Sequence, residues 1–391
     1  MTKYKTYKYL IKPTISQKEI IQKILSCCTY VYNRFIEEDG FVLYKNVLAK
    51  DILAKYKSEN EFLFMADPSA LMNVLFVLQD NRITRNATKH NKYLKSYTTS
   101  NLSGRQAIYF IDNKYINIPR LGNVSISKYR DLPQDAKIVK ATITRDNIDN
   151  YYVCISFSYE STGNNNTLDI TKSIGLDYSS KYLFISSNGE KGNMERFYKK
   201  QKKRISTLKR VLAKCDRNSN NYKKIRYKIA KIYKRSANQR NDFLHKLSRE
   251  LANKYDVICI EDLEMKEIAK HYHLSKNTYE NSYGKFVELL KYKLEEQGKI
   301  LITIDKYYPS SKMCHVCGYI NIDLKLSDRE WICPQCHTYH DRDLNSAINI
   351  KNRGIQEFTS IGYLDKAYRI GSIPHWTCDP EVLDVLNGSY K

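Results

Sequence analysis

No stretch of this sequence approaches the roughly 18 consecutive apolar residues that mark a membrane-spanning helix. The basic start MTKYKTYKYLIKP also lacks the apolar core of a secretory signal. Export and membrane insertion are therefore not expected; an intracellular, cytoplasmic setting is, with residence at the nucleoid when DNA is bound. A disulfide framework is equally unexpected. Of ten cysteines, Cys27, Cys28, Cys154, Cys215, Cys259 and Cys378 are scattered, as free thiols in a reducing compartment would be. Acidic residues are scarce: 42 Asp and Glu stand against 65 Lys and Arg, giving a net charge of +23 and a pI near 9.4. Such an imbalance points to a polyphosphate partner, and nucleic acid is the default.

The other four cysteines are patterned. Cys314 and Cys317 form one C-x-x-C, Cys333 and Cys336 another, and fifteen residues separate the pairs. Four thiolates at this spacing can close a tetrahedral site around one structural Zn²⁺. His315 and His337 stand beside these ligands and read as spare. Tyrosine is abundant at 33 residues, often next to Lys as in YKTYKY. A phenol can stack on a base while a neighbouring ammonium meets phosphate, but the Lys, Asn, Ile and Tyr habit of an AT-rich genome accounts for any single Tyr equally well.

A chain of 391 residues with 42% hydrophobic residues should fold as two to four modules. Residues 4–12 alternate as a strand. Ser16 opens a capping-box pattern with Glu19, and Ile20, Ile21, Ile24, Leu25, Cys28, Val31, Tyr32, Phe35 and Ile36 follow at helical spacing. Residues 42–95 read as further helices, broken near Asp67-Pro68. From about 104 to 160 the period becomes two, which predicts a small antiparallel barrel or curled sheet that the first strand could join. STGNNNTLDIT (161–171) is a linker. Residues 173–189 read as two strands, 195–254 as a helical hairpin, and YDVICIEDL and KILITID as buried strands. The last 37 residues, Ile355–Lys391, read as a tail.

Between Lys199 and Arg249 the hairpin carries 19 basic residues against two acids, Asp216 and Asp242. These charges either face water or meet an anionic partner; so many like charges repel unless screened, which favours nucleic acid. Three acids recur at the edges of predicted elements: Asp177 after SIGL, Glu261 after VICI, and Asp343 within HDRDLNSAINI. Taken singly, each reads equally as a strand-end charge or helix cap. Together they can converge at one end of a sheet and hold two Mg²⁺ for phosphodiester hydrolysis. Asp262 and Asp341 are the neighbouring alternatives to Glu261 and Asp343.

At these residues the chain resembles TnpB, the RNA-guided nucleases encoded by insertion sequences and related to compact type V CRISPR effectors. The likeness runs over roughly residues 4–354, through YKYLIKPTISQKEIIQKILSCCTYVYNRFI, SYTTSN (96–101), SANQRNDFLHKLSRELANKYDVICIEDL, YYPSSKMCHVCG (307–318) and WICPQCHTYHDRDLNSAINIKNRG (331–354). The resemblance implies a multidomain α+β and α/β fold. Residues 1–15 and 101–165 would be a β-barrel wedge domain, and 16–100 a helical recognition domain. Residues 166–310 and 341–354 would be a RuvC nuclease domain of RNase H fold, 311–340 an inserted Cys₄ zinc ribbon, and 355–391 a C-terminal tail. Its catalytic acids would be Asp177, Glu261 and Asp343, binding two Mg²⁺. The implied partners are a guide RNA from the transposon end, double-stranded target DNA next to a short flanking motif, and the RNA–DNA heteroduplex, held by a monomeric ribonucleoprotein. Candidate nucleic-acid contacts are Lys223, Lys224, Arg226, Lys228, Arg235 and Arg240 on the hairpin, with Tyr97 and Thr98 in SYTTSN. Two departures from the family pattern, Ser179 for Gly and Ser346 for Ala, keep small residues. Alternative readings are a CRISPR-associated effector using crRNA, a binding-only RNA-guided repressor, and a strand-joining transposase; the first 170 residues supply no His-x-His or prominent Tyr for the last.

Overall fold

The computed structural model describes residues 2–360 except 45–46, 81–91, 102–106, 161–167, 195, 266–267, 269–281 and 326. The described chain divides near residue 162 into two compact units.

In the first unit, β1 (Thr2–Lys12) leads into helices α1 (Ile15–Glu37), α2 (Gly40–Leu43), α3 (Ala49–Glu59) and α4 (Pro68–Gln79). Strands β2 (Ser96–Ser100), β3 (Tyr109–Phe110), β4 (Tyr115–Ile118), β5 (Gly122–Ser127), β6 (Lys137–Arg145) and β7 (Tyr151–Glu160) follow. They build one antiparallel sheet in the order β2-β6-β7-β1-β5-β4-β3, with β1 at its centre. The helices are thus an insert within a sheet module. The order is linear, and among the described residues no ladder joins the end strands β2 and β3. Period-two alternation sends Tyr9, Ile11, Ile143, Val153 and Ile155 into one core with Ile24, Val31 and Phe35 of α1 and Leu71 and Leu75 of α4.

Three local expectations are corrected here. Helix α1 is capped by Thr14 and Gln17, not Ser16 and Glu19. Thr14 Oγ1 accepts from Gln17 N at 3.3 Å, and Gln17 Oε1 accepts from Thr14 N at 3.0 Å. Gln17 also donates to the carbonyls of Leu121 and Asn123, pinning the helix start to the sheet. The helical insert stops short of residue 100, because SYTTSN is strand β2. Its hydroxyls latch α4: Thr99 Oγ1 donates to Asp67 Oδ2 at 2.5 Å, and Ser100 N donates to Ser69 Oγ at 3.1 Å. Asn73 Nδ2 donates to Thr98 O at 3.1 Å. Tyr97, expected to meet nucleic acid, is 3% exposed in the core, where its ring cannot present a face to a base. Thr98 is half-buried with its hydroxyl on Thr142 Oγ1, 2.9 Å away.

The second unit holds a four-stranded sheet in the order β11-β10-β8-β9, with β8 (Ser173–Tyr178), β10 (Val257–Glu261) and β11 (Ile300–Ile304) parallel and β9 (Phe184–Ser186) antiparallel to β8. Helices α5 (Phe197–Ala213) and α6 (Asn220–Lys254) form the hairpin between β9 and β10. Helix α7 (Tyr283–Glu296) precedes β11, and α8 (Arg342–Ser360) closes the described chain. Strand β10 is buried on both faces, so VICI is a continuous apolar run. Ile258 and Ile260 meet Leu251, Phe286 and Leu290 on one side, while Val257 and Cys259 meet Ile350 on the other. Gly175 and Gly354 allow α8 to lie directly on the sheet. A Cβ at Gly175 would stand 2.2 Å from Ala347 O, and one at Gly354 would stand 2.4 Å from Cys259 Sγ. Residues 355–360, expected in the tail, continue α8. Cys378 and the remainder of the expected tail lie outside the described residues. None of the helices described is long and apolar enough to cross a membrane.

Candidate metal centres

Between β11 and α8 the chain makes two knuckles with the same hydrogen-bond pattern. In the first, Cys314 N donates to Tyr319 O at 2.8 Å and Gly318 N to Cys314 O at 3.0 Å. In the second, Cys333 N donates to Thr338 O at 2.9 Å and His337 N to Cys333 O at 2.9 Å. The fourth residue after each leading cysteine needs left-handed backbone: Gly318 has φ 79° and His337 φ 59°. Glycine takes that conformation at no steric cost; His337 does so as a non-glycine exception. A short hairpin of β12 (Glu330–Ile332) and β13 (Tyr339–Asp341) carries the second knuckle.

All four cysteine sulfurs lie within 4.8 Å of one another, with Cys314–Cys336 at 3.6 Å and Cys317–Cys333 at 3.5 Å. Tetrahedral thiolates at a Zn–S distance of about 2.3 Å stand about 3.8 Å apart, so the donor set fits one Zn²⁺. The Thr338 hydroxyl and N–H lower the pKa of Cys336 to about 6, while Cys317, despite the Tyr319 N–H, is raised to about 12 by desolvation and the other three thiols. His315 and His337 do stand beside the ligands, and neither belongs to the four-sulfur group. A residue that sequence reasoning did not anticipate, the buried His340, places Nε2 3.1 Å from Cys314 Sγ and packs against Trp331 with ring centroids 4.6 Å apart.

The three candidate carboxylates sit on the elements that α8 joins. Asp177 is in the last turn of β8's pleat, one residue from its end, and Glu261 ends the adjacent parallel β10. Asp343 is in the first turn of α8, which packs across both strands. Burial drives the Asp177 carboxyl well above the usual carboxylate range, and the charges of Glu261 and then Asp343 push it further; Ser346 and Arg342 oppose the shift. Burial likewise raises Glu261, against a hydrogen bond from Ser310. Glu261 and Asp343 lie near enough for their charges to act on Asp177, and carboxylate oxygens are the donors that hard cations take. The charges acting on Asp177 thus come from Glu261 and Asp343. Asp341, the alternative to Asp343, caps α8: its Oδ1 accepts from Asp343 N at 3.0 Å and Leu344 N at 2.9 Å. Arg329 of the ribbon approaches Asp343 Oδ1 at 3.4 Å.

Behind the carboxylates lies a polar layer that sequence reasoning also did not anticipate. Ser310, Asn345, Ser346 and Asn349 are all buried. The sequence signal was polar residues at 345, 346 and 349 at helical spacing beside Ala347 and Ile350, the positions of α8 that turn inward. On the basic hairpin, Lys223, Lys224, Arg226, Lys228 and Arg235 are exposed, whereas Arg240 is half-buried with its Nε shielded and without a partner. Ile205, Ile225 and Ile229 and the stacked Tyr198–Tyr233 pair, 5.7 Å between centroids, hold the two arms together.

Comparison with known proteins bears on these features. Residues 156–271 match a family described as "Probable transposase" of the OrfB/IS605 type, and residues 283–350 match the Cas12f1-like TNB domain. Residues 1–39 match an OrfB/IS605 helix-turn-helix domain, although here they form strand β1 and the single helix α1. A relative from Streptomyces pristinaespiralis, provisionally named an RNA-guided DNA endonuclease, is 29% identical over 90% of this chain and 89% of its own. InsQ of Escherichia coli K12, given the same provisional name, is 22% identical over 90% of this chain and 93% of its own. The TnpB-like protein L79 of Acanthamoeba polyphaga mimivirus is 30% identical over 40% of this chain and 31% of its own. The fold is similar to Cas12f1 in its complex with sgRNA and target DNA, with a TM-score of 0.58 and 14% identity over 90% of this chain and 99% of that one.

Proposed function

We propose that this chain, which carries OrfB-type transposase and Cas12f1-like domains and has TnpB-like homologues, is an RNA-guided DNA endonuclease of a transposable element. The observation that carries the reading is the grouping of Asp177, Glu261 and Asp343: two carboxylates at the ends of adjacent parallel strands and a third on the helix that crosses them, with Asp177 raised by its burial and then by the charges of the other two. Clefts at the carboxyl ends of parallel strands are the usual ligand sites of such sheets. The strand order, with β9 antiparallel beside three parallel strands, supports a RuvC nuclease of RNase H fold.

In this reading Asp177, Glu261 and Asp343 would hold two Mg²⁺, which would supply an activated water and stabilisation of the leaving oxygen of the phosphodiester. The chain's own residues do the rest. Asp177 and Glu261 hold one side of the centre on rigid strand ends, and Asp343 presents from a helix turn that Asp341 caps. The exposed bases of α5 and α6 track the sugar–phosphate backbone of the RNA–DNA heteroduplex, which positions the strand without reading it. Sequence is read by the guide, a division of labour that leaves the protein only a short duplex motif. The Cys₄ ribbon holds one structural Zn²⁺ beside the centre. The seven-stranded module with its helical insert takes the wedge and recognition roles.

The test is to purify the chain with its co-expressed element, sequence the RNA that accompanies it, and assay a plasmid bearing the matching target. Asp177→Ala, Glu261→Ala and Asp343→Ala should each abolish cleavage and keep guide-dependent target binding. Cleavage at the wild-type rate by Asp343→Ala would remove that residue from the centre, and the absence of any defined RNA would end the guided reading.

A further inference from the structure

Two buried hydroxyls stand directly behind the carboxylates. Ser310, 6% exposed in the loop after β11, donates through Oγ to Glu261 Oε1. Ser346, 2% exposed on α8, donates to Ser310 Oγ at 3.1 Å and also acts on the Asp177 carboxylate. A serine inside a helix ordinarily returns its proton to the carbonyl four residues earlier; Ser346 sends it across to a different element. Ser310 gives its one proton to Glu261 and can only accept from Ser346, whose own single proton is shared between Ser310 Oγ and the Asp177 carboxylate. The loop that offers Ser310 is held as well. Its carbonyl accepts from Asn349 Nδ2 at 2.8 Å, and its N–H donates to Tyr308 O at 2.7 Å.

Resting on the carboxylate reading above, we propose that Ser310 and Ser346 are positioning residues of the cation centre: their relay engages Oε1 of Glu261 and turns that carboxylate so that Oε2 is the oxygen left for a cation shared with Asp177. A buried hydroxyl without such a task costs stability, because its hydrogen bonds with water are lost on folding. Apolar side chains of similar volume would fill the same space. Partners that orient a metal's ligands set its affinity, and their loss typically weakens metal binding about 10- to 100-fold.

The experiment uses the full-length chain with its guide RNA and the probe Mn²⁺, counting free ion by EPR and, in parallel, titrating cleavage against Mg²⁺. Ser310→Ala should raise the half-saturating Mn²⁺ and Mg²⁺ concentrations by roughly 10-fold or more. Maximal cleavage at saturating metal should fall less, and zinc content and melting temperature should stay near wild type. Ser310→Thr, which restores a hydroxyl, should recover part of the affinity. If Ser310→Ala loses zinc, Ser346→Ala decides, since it removes the second hydroxyl from α8 without altering the ribbon loop. Wild-type Mn²⁺ affinity and Mg²⁺ dependence in a folded Ser310→Ala or Ser346→Ala protein would overturn the relay. Asp177→Ala is the separate control: if it binds Mn²⁺ as wild type does, the carboxylate centre itself falls, whatever the serines show.

Discussion

Asn345 Oδ1 accepts two hydrogen bonds from His315, one from the backbone N–H at 3.1 Å and one from ring Nδ1 at 2.9 Å. Its amide nitrogen donates to Met313 O at 2.7 Å. One side chain of α8 therefore clasps both neighbours of Cys314, two residues after the candidate catalytic Asp343. Asn349 adds a second bond to Met313 O at 2.6 Å. The four-sulfur ribbon and the carboxylate helix are joined by buried amides.

Asn345→Ala should for that reason damage both centres. It leaves the half-buried N–H and ring Nδ1 of His315 without their partner, at a cost of about 1–3 kcal/mol each at most, while Met313 O keeps its bond from Asn349. Expected are a lower melting temperature, faster zinc release to a colorimetric chelator, and a loss of cleavage that excess Mg²⁺ does not restore. Wild-type zinc retention together with wild-type cleavage would show that the clasp is dispensable.

Metal analysis of chain purified without chelator should find about one zinc per molecule. Cys314→Ser or Cys336→Ser should lower zinc content, stability and cleavage together, because a ribbon too small for its own core depends on the metal for its folding. Full zinc occupancy in both variants would mean that the ligands are wrongly chosen.

The raised Asp177 carboxyl makes a prediction of opposite sign for stability and activity. A carboxyl whose folded pKa exceeds its unfolded value binds a proton more tightly when folded, so metal-free stability falls as pH climbs above the ordinary carboxylate range. Asp177→Asn removes that buried charge. Without divalent cations at neutral pH it should melt higher than wild type; on adding Mg²⁺ the wild type should gain stability and the variant should not; and cleavage should vanish. A variant that melts lower in EDTA and still responds to Mg²⁺ would refute the assignment.

How far these features could be read beforehand depended on what each residue touches. VICI announced a strand buried on both faces, and the two C-x-x-C pairs announced their site, because each signal lies within a few residues. The α1 cap was misplaced by two residues since Gln17 is chosen by carbonyls of Leu121 and Asn123, more than a hundred positions away. Tyr97 resembled an interface tyrosine, yet period two in β2 turns it inward. Ser310 and Asn345 were silent for the same reason: a buried serine or asparagine has meaning only through its partner, and those partners lie on other elements.

Lys293 supplies a pH test away from the chemistry. It is 2% exposed on α7, and its ammonium donates to His245 O and Ser248 Oγ on α6, each at 2.6 Å. Burial first, then the nearby Arg249, lowers its pKa to about 8. A lysine depressed in the folded state binds fewer protons there than when unfolded, so stability should rise as pH passes from about 8 towards the ordinary lysine value near 10.5. Relative to Lys293→Met, wild-type Tm should therefore gain across that window. Parallel Tm–pH curves for the two proteins would mean that the ammonium is not destabilised by its burial.

The basic hairpin separates a nucleic-acid channel from a merely solvated face. Lys223, Lys224, Arg226 and Lys228 are exposed on α6, and the buried Ile225 and Ile229 beside them are among the residues that pack it. Replacing the four cations with Gln leaves those isoleucines in place, so the fold should survive. If they meet phosphates, affinity for the guide RNA or its heteroduplex should drop, and the slope of log K against log salt should become shallower by roughly one unit per lost contact. The effect should be alike for unrelated guide sequences, since phosphate contacts carry no base information. Arg240 is set apart from this group by its half-buried guanidinium, and Arg240→Gln should change stability as well as affinity. An unchanged salt slope with full cleavage in the four-site variant would place the nucleic acid on another surface and leave these charges facing water.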